Sequence, residues 1–141
     1  MRFIINGGKV LTGNIKVKGF KNSATPIIAA TLLTDKTCTL HNIPKVGDVL
    51  KMLDILKSMG SKQRWVSENS IEIKNDGLNP ENLDQDLVNQ IRSSILLIGP
   101  MLARFKKFSF VMPGGCRIGV RPIDTHLDSL KELGASAEFN K

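Results

Sequence analysis

The chain repeats itself, and the repeat limits the folds open to it. An apolar helix expected over residues 26–33 precedes a strand over 37–43, a turn, and an amphipathic helix closing in Lys57-Ser58-Met59-Gly60. The same succession returns as an apolar helix over 91–103, a strand over 108–111, a loop, and a helix closing in Lys131-Glu132-Leu133-Gly134. Gly60 and Gly134 lie 74 residues apart, and Leu53/Leu127 and Leu56/Leu130 keep that offset. Such repeats are stacked supersecondary units, each covering the apolar face its neighbour leaves open, usually three or more to an array. Two strands follow Gly60 (63–66 and 70–73, turning at Glu68-Asn69), but only one begins after Gly134, over 135–139. The second unit is therefore read as incomplete.

Local signals fill in the elements. Residues 2–5, 10–11 and 15–18 alternate as short strands, separated by Gly7-Gly8 and by Thr12-Gly13-Asn14. Asn22 or Ser23 can cap the first helix, which Pro26 can occupy in its first turn. Val49, Met52, Leu53, Leu56 and Met59 make one apolar face of a helix over 47–59, with Gly60 past its end. Residues 76–86 read as a polar connector. Gly99-Pro100 should bend the long apolar segment that begins at Leu87.

At 141 residues, 41% hydrophobic and 23% charged, the composition is that of a soluble globular domain. No apolar run approaches the ~18 residues of a membrane span. The N-terminus lacks the apolar core of a signal peptide, so a cytoplasmic, membrane-free protein is the default expectation. Cys38 and Cys116 are too few for a disulfide scaffold, and no Cys/His spacing suits zinc. The net charge of +7 permits nucleic-acid binding. However, the basic residues are dispersed, and six Phe, one Trp and no Tyr offer few stacking platforms. The cluster Arg104-Phe105-Lys106-Lys107 reads as a solvated helix end. A positive balance equally suits small anionic substrates.

The chemistry concentrates in Pro113-Gly114-Gly115-Cys116-Arg117-Ile118-Gly119-Val120-Arg121-Pro122-Ile123-Asp124-Thr125-His126. Two glycines permit a tight turn at positive φ and the close approach of a ligand. The arginines supply forked, permanently charged donors for phosphate or carboxylate. A cysteine among such charges has its thiolate favoured. The residues alone leave a second reading open, a surface turn with an inert thiol. Lys21-Asn22 after Gly19 would suit an anion at a helix N-terminus, or an ordinary capped helix. Arg92 is either a site residue or a solvated helix charge.

The stretch from Pro113 to His126 resembles the cysteine loop of the UDP-N-acetylglucosamine 1-carboxyvinyltransferases, which reads Pro-Gly-Gly-Cys-x-Ile-Gly-x-Arg-Pro-x-Asp-x-His. Every fixed position is kept. The enolpyruvyl transferase of aromatic amino-acid synthesis shares that family's fold but lacks this loop. Gly19-Phe20-Lys21-Asn22-Ser23-Ala24 is similar to the family's phosphoenolpyruvate-contacting segment, with Thr25 where an aliphatic residue is usual. Arg92-Ser93-Ser94 is similar to its Arg-x-Ser segment.

The resemblance implies transfer of an enolpyruvyl group from phosphoenolpyruvate to the 3′-hydroxyl of UDP-N-acetylglucosamine, releasing phosphate, at the start of peptidoglycan synthesis. It implies Cys116 as proton donor, covalent adduct site and fosfomycin target, with Lys21, Asn22 and Arg121 on phosphoenolpyruvate. Arg92, Arg121, Pro122, Ile123, Asp124 and Thr125 would line the UDP-sugar site. Thr125 stands where leucine is frequent, and His126 would support the loop or a phosphate, or cap the following helix. No metal or other cofactor is implied.

The implied fold is α/β built of α+β repeats, part of an inside-out barrel of βαβαββ-like units. Residues 1–20 would give strands to the second globular domain, 21–75 the first repeat and 76–141 an incomplete second. The rest of the enzyme would complete the cleft. A non-catalytic remnant that binds a nucleotide sugar, and a basic nucleic-acid module, remain as alternatives.

Overall fold

In the computed structural model, residues 2–115, 119 and 122–138 are described. In chain order they form α1 (Lys21–Ala30), a 3-10 turn (Thr31–Leu33), β1 (Cys38–Leu40), α2 (Gly47–Ser58), β2 (Lys62–Ser67) and β3 (Ser70–Lys74). There follow a 3-10 turn (Pro80–Asn82), α3 (Gln85–Gln90), a 3-10 segment (Arg92–Leu97), α4 (Ile98–Phe105) and α5 (Asp124–Glu132). The architecture is α+β with a small open sheet.

The sheet runs β1-β3-β2, antiparallel throughout, with Cys38 opposite Ile73 and Gln63 opposite the same residue on the other side. Its central strand reads apolar at every second position, so Ile71 and Ile73 are fully buried while Glu72 turns outward and accepts from Arg64 at 2.8 Å. The helices cover the apolar face. Val49, Met52, Ile55 and Leu56 of α2 meet Ile28 and Leu32, and Leu97 and Met101 complete one core. The expected stripe on α2 is thus the buried one.

Both copies of the Lys-x-x-Gly ending adopt one geometry. Gly60 has φ +107° and donates to Lys57 O at 2.9 Å, while Ser61 N–H reaches Leu56 O at 3.1 Å. Gly134 has φ +92° and donates to Lys131 O at 2.8 Å, while Ala135 N–H reaches Leu130 O at 3.0 Å. A left-handed glycine past the helix end lets the chain turn back and satisfy carbonyls that the helix leaves open.

Several expected elements differ. Residues 2–19 form no strand, and Phe3, Ile5, Val10, Leu11, Ile15 and Val17 stay exposed. A strand exists only through its partner's hydrogen bonds, and none of the described residues supplies one. The strand at 37–43 shortens to three residues, because Asn42 turns left-handed at φ 58°. No strand forms at 108–111 or over the described residues 135–138.

The first helix begins at Lys21, ahead of the expected caps Asn22 and Ser23, which lie inside it, and Phe20 is an N-cap without any side-chain cap bond. The polar connector holds a 3-10 turn, where Asn79 caps, and the start of α3, where Asp84 accepts from Leu87 N–H. The long apolar helix breaks at Ile91, which is extended, and Ser94 Oγ lies 2.8 Å from Val88 O and 2.7 Å from Ile91 O, its single proton serving one or the other of the two carbonyls at the break. Pro100 then sits in the first turn of α4, where its missing N–H costs nothing.

Arg104 was expected in a solvated helix end, and the fold buries it instead. Its guanidinium, 19% exposed, donates to Leu32 O at 2.7 Å, to Thr34 O at 3.4 Å and to Asn75 O, and pairs with Asp35. It thereby closes the carbonyls at the end of the first 3-10 turn and just past β3. Arg104→Ala should lower the unfolding free energy by about 2–3 kcal/mol in urea titrations, because part-buried carbonyls lose a charged donor. Asp35→Asn should cost under ~1 kcal/mol, its side chain being 74% exposed.

Lys74 and Lys62 donate to Asp76 from the strand ends, at 2.8 and 3.1 Å. The bond from Lys74, then that from Lys62, lower the carboxyl from the usual 3.8 to about 2. A carboxylate with a depressed folded value stabilises fully above its unfolded value and loses that contribution as pH falls through the folded one. Between about 3.8 and about 2, Asp76→Asn should therefore flatten the acid loss of stability followed by circular dichroism.

Candidate active site

Lys21 and Asn22 open α1 in its first turn, both exposed. Their position is set by Gly19. Its N–H donates to Asn42 Oδ1 at 3.1 Å, and a Cβ there would lie 1.8 Å from the Asn42 carbonyl oxygen. Only glycine allows that crossing, which fixes where the helix begins. No acidic residue stands in the first turn of α1, so its N–H dipoles face solvent with a lysine beside them.

Lys21 Nζ pairs with Asp48 Oδ2 at 2.5 Å. Asp48 lies in the first turn of α2, so the two helix starts are tied side by side. Sequence reasoning missed Asp48, since an acid in a first turn ordinarily reads as dipole compensation. The spacing from Lys21 carries no signal of their meeting, because it depends on how α1 packs on α2.

Gly114 and Gly115 serve close approach to the protein's own backbone, where the close approach of a ligand was expected. A Cβ on Gly114 would lie 1.7 Å from Asn89 O, and one on Gly115, at φ +101°, would lie 2.9 Å from Arg92 N. Arg92 Nη1 donates to Pro113 O at 3.3 Å and Nη2 to Pro122 O at 3.0 Å. Arg92 and Pro122 are thus brought together.

Ile123 is buried and is the N-cap of α5, which starts without a side-chain cap bond, so His126 does not cap it. Asp124, Thr125 and His126 are exposed in the first turn of that helix. Cys116 and Arg121 lie outside the described residues. The bonds holding the predicted residues form two groups, Lys21 to Asp48 and Arg92 to the two prolines. An open cleft of about 320 Å³ surrounds the Gly19–Asn42 crossing and is lined by Lys18, Lys45 and Glu68, but by none of the predicted site residues.

Residues 5–141 match the EPSP synthase (3-phosphoshikimate 1-carboxyvinyltransferase) family. The chain belongs to that family. Within it, the similarity is to UDP-N-acetylglucosamine 1-carboxyvinyltransferases. The one from Carboxydothermus hydrogenoformans is 48% identical over 137 residues, covering 97% of this chain and 32% of the relative. The one from Campylobacter hominis is 40% identical over 135 residues, covering 96% and 32%. This chain spans about a third of the length of the relatives it matches. The crystal structure of the enolpyruvyl transferase NikO from Streptomyces tendae superposes with a TM-score of 0.60 at 23% identity, over 70% of this chain and 23% of that one. That likeness establishes a shared fold. Among the described residues no helix is long and apolar enough to cross a membrane.

An exposed ion pair contributes at most about 1 kcal/mol. Asp48→Asn should therefore raise the rate at which an amine-reactive reagent modifies Lys21 by up to about fivefold, read by peptide mass spectrometry. An unchanged rate at Lys21 would mean that the pair does not persist in solution.

Proposed function

We propose that this chain is part of a UDP-N-acetylglucosamine 1-carboxyvinyltransferase, which moves the enolpyruvyl group of phosphoenolpyruvate onto the sugar 3′-hydroxyl and releases phosphate. The observation that carries the reading is the 40–48% identity, over nearly the whole chain, to relatives of that name. The product would enter peptidoglycan synthesis in the cytoplasm, linking the enzyme to cell shape and division.

The chemistry needs an acid at the methylene carbon of phosphoenolpyruvate, a base for the hydroxyl and cations for the anionic groups. Protonation of that carbon makes its neighbour electrophilic, and the sugar oxygen bonds there. Loss of phosphate and of a proton from the same methyl carbon restores the double bond. Cys116 is the acid in this reading, and the site of a covalent adduct or of fosfomycin alkylation. Lys21, Asn22 and Arg121 hold phosphoenolpyruvate. Arg92 and residues 121–125 line the UDP-sugar site, with His126 supporting it.

The pairing of Lys21 with Asp48 supports the first assignment, because an exposed lysine held by one carboxylate can transfer to an incoming phosphate. No metal enters the scheme. The described fold and the NikO likeness support one full repeat over 21–75 and an incomplete one over 76–141, in an inside-out barrel. The exposed alternating residues of the 2–19 arm suit strands contributed to a second globular domain. The remainder of such an enzyme would supply the facing wall of the cleft.

Joining this chain to the missing two thirds of the Carboxydothermus hydrogenoformans relative tests the reading. Phosphate release from phosphoenolpyruvate should require UDP-N-acetylglucosamine and fall by at least about a hundredfold in Cys116→Ala, the scale of a lost general acid. The 1–141 chain alone should give little or no turnover. A folded chimera without turnover would leave a non-catalytic remnant as the better account.

A further inference from the structure

The start of α1 has no side-chain cap of its own. Phe20 precedes it in extended backbone, and its carbonyl accepts from Ser23 N–H at 3.2 Å and Ala24 N–H at 3.0 Å. The first turn of such a helix keeps orphan N–H groups and frays unless something outside it holds it. Buried Ala24, Thr25 and Ile28 fix the helix from its fourth residue onwards. Lys21 and Asn22 lie ahead of that support.

What holds them is one step further back. Among the described residues, none from 2 to 18 makes a hydrogen bond, so Gly19 N–H is the first backbone group of the chain tied to the body. It donates to Asn42 Oδ1 at 3.1 Å, while the Gly19 backbone crosses the Asn42 carbonyl too closely for any Cβ.

Asn42 is itself pinned. Ile43 after it is buried and donates its N–H to Asn69 O at 2.8 Å. Asn42 takes φ 58°, a left-handed backbone that glycine would adopt at lower cost. Asparagine tolerates it and adds an acceptor that glycine lacks. That acceptor meets Gly19. Two residues on, Lys21 Nζ reaches Asp48 Oδ2 at 2.5 Å. The first turn of α1 is thus held ahead by the Asn42 side chain and at its lysine by Asp48.

We propose that Asn42 is a positioning residue for the phosphoenolpyruvate site: by fixing Gly19 it sets where α1 begins and so aims the Lys21 ammonium. It acts through Gly19 and touches no substrate. The proposal rests on the assignment of Lys21 to phosphoenolpyruvate.

The test labels the 1–141 chain with N-hydroxysuccinimidyl acetate and reads each lysine by peptide mass spectrometry. Lys74, paired with Asp76 and 45% exposed against 49% for Lys21, is the reference within the same molecule. Asn42→Gly keeps the left-handed backbone and removes the acceptor. It should raise labelling of Lys21 relative to Lys74 by about two- to fivefold, the scale of an exposed ion pair. Asn42→Asp keeps an oxygen acceptor and should label as wild type.

An unmoved ratio in Asn42→Gly overturns the proposal, and so does an Asn42→Asp ratio that moves as far. If Asn42→Gly also changes Lys74, Gly19→Ala decides. It keeps Asn42 but sets a Cβ 1.8 Å from the Asn42 carbonyl oxygen, so the crossing must part and Lys21 must be released in the same way. An unchanged ratio there also overturns the proposal.

Turnover of the chimera separates this role from a structural one. Asn42→Gly should raise KM for phosphoenolpyruvate by about tenfold, the scale of one lost charged hydrogen bond. KM for UDP-N-acetylglucosamine should stay within about twofold. Equal rises for both substrates would mean a loosened fold and overturn the proposal, as would a raised phosphoenolpyruvate KM with Lys21 labelling unmoved. Released Lys21 with both KM values unmoved keeps the hold of Asn42 on Lys21 and rejects the assignment of Lys21 to phosphoenolpyruvate.

Discussion

One guanidinium holds the two halves of this chain in a common core. Arg104 projects from α4 into the carbonyls that close the first 3-10 turn and follow β3, far earlier in the chain. Chain ends of this kind carry polar groups that a helix or strand cannot satisfy itself. A donor that is always charged, with five N–H groups in one plane, meets several of them at once. Burying it is favourable because its partners would otherwise be buried unpaired. The apolar contacts of Ile28, Leu32 and Met101 can then form around a neutralised seam.

What sequence reasoning could see was local. The stripe on α2, the glycines that end α2 and α5, and the turn between β2 and β3 all follow from one residue type meeting one backbone demand. The misreadings involve partners far along the chain. Arg104 looked solvated, as its neighbours Lys106 and Lys107 are, because Leu32, Asp35 and Asn75 are remote from it in sequence. The N-terminal alternation promised strands, but alternation supplies a face and not a neighbour. The break at Ile91 comes where one serine hydroxyl meets two carbonyls, which hydrophobic periodicity does not record.

The candidate site shows the same division. Lys21, Asn22 and Arg92 were singled out because each belongs to a short motif of recognisable chemistry. Their partners were not. Asp48 meets Lys21 through the packing of two helices, and Arg92 meets Pro113 and Pro122 through the path of a loop. A motif selects candidate groups, whereas tertiary contacts determine what orients them.

The repeated helix ending has a further consequence, in terms of modularity. The bonds that turn the chain at each glycine run within residues 56–61 and within residues 130–135, with Asn79 N–H added on Met59 O at 2.8 Å in the first. The stop at the glycine is therefore written locally in both places. The stretch leading into that helix is under no such constraint. Between Leu40 and Gly47 it is a short turn with a left-handed asparagine, whereas ahead of Asp124 the sequence carries the longer glycine- and cysteine-containing stretch from Pro113. A helix whose ending is fixed locally while its approach varies lets the stretch ahead of it differ in length and chemistry without changing how the helix stops.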